Sequence, residues 1–167
     1  TKWCNGKGFG LFINESGCAE LRVNGTKITT DAPIRDHAWH FLAASFDAKT
    51  GEAVLDHEPQ VVYALDAAIP AVRKSVKEAI KHDDSPLVIG GYTRDHSSDA
   101  LARSSVPSGI VIGGHYNGKI DSPRLCNRAL SRTEIEMMKR GTDRSASERR
   151  HVGPDASIAN SVVASWD

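Results

Sequence analysis

The stretch "CAELRVNGTKIT", residues 18–29, decides the fold class. Leu21 and Val23 alternate onto one face, and Asn24-Gly25 follows at once. Asn and Gly both tolerate positive φ, so Asn-Gly next to an alternating apolar run marks a tight antiparallel hairpin. Upstream, "GFGLFINE" (8–15) places Phe9, Leu11 and Ile13 on one face of a partner strand. Downstream, "HAWHFLAASFD" (37–47) is apolar on both faces over most of its length, which suits a central strand covered on both sides. Trp39 and Phe41 are expected to be buried there between sheets. "AKTG" then reads as a turn, "EAVLDH" as the next strand and "QVVYAL" (60–65) as another. "PLVIGGY" and "GIVIGG" read as short buried strands ended by paired glycines, with a polar loop, 93–108, between them.

Two segments break the strand rhythm. In "PAVRKSVKEAIKH" (70–82), Val72, Val76, Ala79 and Ile80 fall at helical spacing, and Pro70 suits a first turn where its missing N–H costs nothing. The window "HYNGKIDSPRLCNRALSRTEIE" (115–136) begins with a turn at 116–118. An alternating strand is expected from Lys119, with Ile120 inward and Pro123 marking it as an edge or bulged strand. Ser131 then caps a helix. Glu134, three positions on, completes a capping box, with Leu130 and Ile135 as its hydrophobic staple. Lys139 and Arg140 suit its C-terminal end, and Gly141 is expected to stop it. Many short strands with glycine turns and two short helices, near 70–82 and 131–140, predict a mainly β protein: an antiparallel sandwich or jelly roll. The expected organisation is a sandwich over 1–141, a polar linker over 142–157, and a strand over 158–167 that returns to the sandwich and places Val162, Ala164 and Trp166 on one face.

Composition narrows the function classes. The 167 residues carry 21 basic and 21 acidic side chains and no net charge. A nucleic-acid or anionic-membrane binder would show a basic excess or stripe. The basic run "KRGTDRSASERRH" (139–151) is interrupted by acids and poor in apolar residues, as a solvated linker is. No apolar run reaches the length of a membrane span and no leader peptide is visible, so a cytoplasmic protein is expected. Cys4, Cys18 and Cys126 are too few for a disulfide framework and read as free thiols, with a Cys4–Cys18 bridge as the alternative.

Two phrases carry a resemblance. "AWHFLAASFDAKTGEAVL" resembles the central strand pair of laminin-G-like, concanavalin A-like jelly rolls. "YNGKIDSPRLCNRALSRTEI" resembles the closing strand and helix cap of the same group. A nearer likeness is to the laminin-G-like domain of the N,N-dimethylformamidase large subunit, through "HYNGKID", the helical insertion expected before the "LVIGG" strand and the return to a "WD" strand after a polar linker. The resemblance implies a noncatalytic structural or assembly module of an amide hydrolase. It also implies that the hydrolase's iron, held by tyrosines and a glutamate, lies outside these residues, and that other domains or subunits of the parent, or a second copy, are its partners. Strands before Thr1 are implied too, which would leave residues 8–15 near an open sheet edge.

Few residues suggest chemistry. His115, Tyr116 and Asn117 sit at a loop end where a ligand could dock. Asp95 and Asp99, with His96 between them, could offer oxygen ligands to calcium, although their spacing matches no calcium motif. His40, on the predicted central strand, reads as a histidine hydrogen-bonded within the core. Trp39, Asp47, Gly118, Asp121, Ser131 and Glu134 read as structural. No nucleophile elbow, carboxylate pair or phosphate loop occurs. A sugar-binding lectin-like domain is the alternative, disfavoured because an aromatic content of 6% leaves little for sugar platforms.

Overall fold

The computed structural model describes residues 2–4, 6–81, 86–94, 111–142 and 156–165. The chain forms two compact units. One comprises Thr1–Ala44 with Ala48–Gly118, the other Ser45–Asp47 with Lys119–Asp167.

The first unit is antiparallel β structure. β1 (Lys2–Cys4), β2 (Lys7–Ile13), β3 (Cys18–Val23) and β4 (Thr26–Pro33) form one sheet in that order. The β3–β4 hairpin closes on Asn24-Gly25 as expected, pairing Val23 with Thr26 and holding Asn24 at φ 50°. The β2–β3 turn is held by Asn14, whose Oδ1 accepts the Ser16 and Cys18 N–H groups, each at 3.0 Å. β5 (His40–Asp47), β6 (Glu52–Pro59) and β7 (Val72–Ser75) form a second sheet, in which β6 is central. Alternation along β6 buries Ala53, Leu55, His57 and Pro59. With Ala19, Leu21, Val23 and Ile28 of β3 and β4 they make the core. β8 (Tyr92–Arg94) pairs with β9 (Val111–Gly113).

In the second unit, β10 (Arg124–Cys126) pairs antiparallel with β11 (Val162–Ser165), with a register shift between Leu125 and Cys126. Helix α1 spans Arg132–Thr142, and a single helical turn, α2 (Ala156–Ala159), precedes β11. Ile158, Ser161 and Ile135 are buried.

Several expectations are corrected. The 70–82 segment is not a helix: β7 takes Val72–Ser75 and pairs with β6. Partner pairing outweighs a weak helical period. Beyond β7, the Asn24 carboxamide takes the Ala79 carbonyl and the Lys81 N–H, both at 2.9 Å, groups that a helix would bond internally. Gly51 sits in the turn before β6 at φ 72°, and a Cβ there would stand 2.7 Å from the Val76 carbonyl oxygen. Residues 60–65 form an exposed loop, not a strand. β5 is the outer strand of its sheet, so Trp39, just before it, is 46% exposed, and Phe41 is half-buried. Residues 86–91 are not a strand, and Leu87, Ile89 and Ile112 are exposed. Strand structure begins at Arg124 rather than Lys119. Ser122 lies at φ 46° and Ile120 faces solvent. α1 runs past Gly141 into Thr142, and the expected 158–167 strand is confined to β11, with Trp166 outside the described residues.

Candidate functional site

The residues singled out as candidates separate in the structure. His115, Tyr116 and Asn117 are all exposed, and Tyr116 donates its N–H to the Gly90 carbonyl at 2.8 Å. A Cβ at Gly118 would lie 2.4 Å from Tyr116 Cζ, so this glycine makes room for the ring. Asp95 and Asp99 lie outside the described residues. Among the described residues, no three His, Cys, Asp or Glu side chains are grouped to hold a metal ion. Asp47 is half-buried, and Asp121 is exposed and accepts a hydrogen bond from Ser122 Oγ at 3.1 Å. Ser131 and Glu134 form the reciprocal capping box. Ser131 N–H donates to Glu134 Oε2 at 2.7 Å, and Glu134 N–H donates to Ser131 Oγ at 3.3 Å. Arg128 grips the same carboxylate with two nitrogens, at 3.1 and 2.5 Å. Its guanidinium, with the Ser131 donors, pulls the Glu134 carboxyl down to about 2. Cys18 is a buried free thiol and Cys126 a half-buried one.

His40 belongs to a constellation that was only half legible. Its Nε2 accepts the Arg35 backbone N–H at 3.1 Å, which puts its proton on Nδ1. Nδ1 lies 2.7 Å from His57 Nε2. His57 must therefore carry its own proton on Nδ1, which lies 3.3 Å from Thr30 Oγ1. Thr30 Oγ1 in turn donates to the Ala32 carbonyl at 3.4 Å. The geometry assigns one direction to the whole chain, and every ring nitrogen is used. Burial, reinforced by the Arg35 charge, lowers the His40 pKa below the usual histidine value. Burial and then the neighbouring His40 do the same to His57, against an opposing pull from Asp56. Both imidazoles are thus neutral near pH 7, His57 buried and His40 half-buried beside it. Alternation from Ala53 places His57 inward, a signal present in the sequence.

Next to this chain lies an apolar surface. Val61, Val62, Tyr63 and Leu65 are exposed, Leu65 at 99%. The loop carrying them is nevertheless tied down. Asp66 Oδ2 accepts the Tyr63 N–H at 2.7 Å, and the Asp66 N–H returns to the Tyr63 carbonyl at 2.9 Å. Arg35 pairs with Asp66 Oδ1 at 2.6 Å and lies 5.5 Å from the Tyr63 ring centre. The Gln60 N–H donates to the Trp39 carbonyl at 2.9 Å. The Tyr63 N–H, followed by Arg35, lowers the Asp66 pKa. Arg35 and Asp66 are far apart in sequence, and nothing in the pattern pairs them.

A third cluster is closed on itself. Trp3, Phe12 and Tyr92 meet edge to face, with ring centres 5.6–6.5 Å apart. The Arg22 guanidinium lies 4.2 Å from the Phe12 ring centre and 5.1 Å from that of Trp3, and its Nε meets Glu20 Oε1 at 2.5 Å. Gly10 lies opposite Arg22 in the β2–β3 pairing. The arrangement is a cation–π clasp already filled by the protein's own arginine.

No family model and no curated protein matches the chain. No helix among the described residues is long and apolar enough to cross a membrane.

Proposed function

We propose that the chain is a noncatalytic laminin-G-like module, a concanavalin A-like jelly-roll sandwich that serves assembly of an N,N-dimethylformamidase-like amide hydrolase. The two sequence phrases support the family reading, and the antiparallel β architecture is compatible with it. The observation that carries the functional reading is the 60–66 loop. Its polar backbone is anchored by Asp66 and Arg35 while Val61, Val62, Tyr63 and Leu65 point to water. An ordered loop loses little conformational entropy on docking, and an exposed apolar cluster gains by being covered. By contrast the His40–His57 pair has its ring nitrogens consumed by internal hydrogen bonds.

The test is to place Val62→Asp and Leu65→Asp in the full-length polypeptide that carries the module. The expected result is an unchanged melting midpoint with loss of association, read by sedimentation. Formamide turnover by the purified, metal-supplemented chain, abolished by a substitution within it, would overturn the noncatalytic reading. Exposure of Trp39, Tyr63 and Tyr116 favours carbohydrate binding as a second reading. That reading requires glycan binding that is lost in Trp39→Ala or Tyr116→Ala.

A further inference from the structure

We propose that the His40–His57 pair is an acid-sensitive latch on the 60–66 loop, releasing the loop as pH falls below the ordinary histidine range. The inference rests on reading that loop as the contact surface and names how its presentation is regulated.

The hydrogen-bond chain runs in one direction, from His40 through His57 to Thr30. Each imidazole offers one lone pair, and both are occupied: His40 Nε2 by the Arg35 N–H, and His57 Nε2 by the His40 Nδ1–H. An added proton must displace one of these donors. Protonation at His40 Nε2 does the least damage, because His40 can still donate through Nδ1 to His57 and only the terminal link to Arg35 breaks. Donor would then face donor at Arg35, and an imidazolium would stand beside its guanidinium. Arg35 is also the residue that ties down the loop, through Asp66 and over the Tyr63 ring. Acid is thus delivered to the anchor of the apolar surface rather than to the sheets.

Among the described residues, two charged side chains act on the pair. Arg35, from the segment after β4, opposes protonation of His40, and Asp56 on β6 favours protonation of His57. Asp66 lies beyond Arg35. β4 contributes the neutral Thr30, and β3 contributes the apolar Ala19, Leu21 and Val23. The sign follows. Above pH 6.5 both histidines are neutral whether latched or released, and pH has no effect. Below 6.5 a released His40 of ordinary pKa takes up a proton and a latched one does not, so each unit of pH favours release about tenfold, until the lowered latched value is reached. Asp66 titrates below the ordinary carboxylate range and stays ionised through this window.

Amide hydrogen exchange of the intact chain between pH 7.5 and 5, corrected for intrinsic rates, tests the latch. Protection of the Tyr63 and Asp66 amides should fall about tenfold per unit below pH 6.5, while the Val23 and Leu55 amides keep theirs. His40→Gln, which can accept from Arg35 but cannot charge, should flatten the loop response. Unchanged loop protection, core amides failing in step, or the same response in His40→Gln would overturn the proposal. A readout that needs no variant is the ring-nitrogen spectrum at pH 7.5. Both histidines should carry the proton on Nδ1, and an Nε2–H form of either would break the assigned chain. None of these measurements involves a partner, so a loop that unlatches but docks nothing would sink the assembly reading and leave the latch standing.

Discussion

At the β3–β4 turn, the side-chain amide of Asn24 takes the Ala79 carbonyl and the Lys81 N–H. At the 60–66 loop, the Asp66 carboxylate takes the Tyr63 N–H and the Arg35 guanidinium. The two anchors are chemically alike: a short polar side chain satisfies backbone groups that no ladder reaches. Their surroundings differ. Asn24 is buried, its own N–H is bonded to the Gly8 carbonyl, and its carbonyl accepts from Trp3 Nε1 at 3.1 Å. Backbone and side chain together join β2, β1 and the 79–81 segment to one turn. Asp66 ties its loop only at the base, and Val61, Val62, Tyr63 and Leu65 stay largely exposed, with the Arg35 guanidinium over the Tyr63 ring. One anchor therefore closes a buried turn, and the other holds an exposed loop.

The largest effect expected from this contrast is at Asn24. Asn24→Ala removes two hydrogen bonds to partly buried backbone groups and puts Ala at φ 50°, so a loss of about 2–4 kcal/mol is expected in denaturant unfolding. Asn24→Gly keeps the turn conformation and removes only the carboxamide. If Asn24→Gly unfolds with the wild type, the clasp on residues 79–81 contributes nothing and the contrast collapses to turn geometry.

The Asn24 turn also marks how far the sequence could be read. Asn-Gly after an alternating run specifies a hairpin locally, and so does the Ser131–Glu134 capping box, because every interacting group lies within four residues. The 70–82 segment departs from its local pattern for the opposite reason. Its conformation is set by β6 and by Asn24, which lies 55 residues before Ala79. Trp39 was misplaced because an apolar strand read as central turned out to be the outer strand of its sheet. The candidate site was half legible in the same way. The inward phase of His57 is written in the alternation of β6, and His40 in its place on an apolar strand, whereas the Arg35–Asp66 tie and the bareness of residues 61–65 exist only once the chain has folded.

Trp39 supplies an intermediate test. A fully buried Trp truncated to Ala costs about 3–5 kcal/mol, but Trp39 keeps 46% of its surface in water, so Trp39→Ala should cost about 1–2 kcal/mol. A loss as large as that expected for a core residue would mean that the face beside the 60–66 loop is covered in solution. The bareness attributed to the loop would then be in doubt.

The smallest effect should come from the most exposed large hydrophobic side chain among the described residues. Leu65 is 99% exposed, so Leu65→Ser removes no buried apolar area and should change unfolding free energy by less than about 0.5 kcal/mol. Leu55, buried completely on β6, provides the internal standard: Leu55→Ala should cost about 2–5 kcal/mol in the same assay. If Leu65→Ser destabilises the isolated chain by more than about 1 kcal/mol, and the loss does not depend on protein concentration, residue 65 packs within its own molecule and the loop is no docking surface. If the loss appears only at high concentration, a second copy covers Leu65, and the partner of this surface is the chain itself.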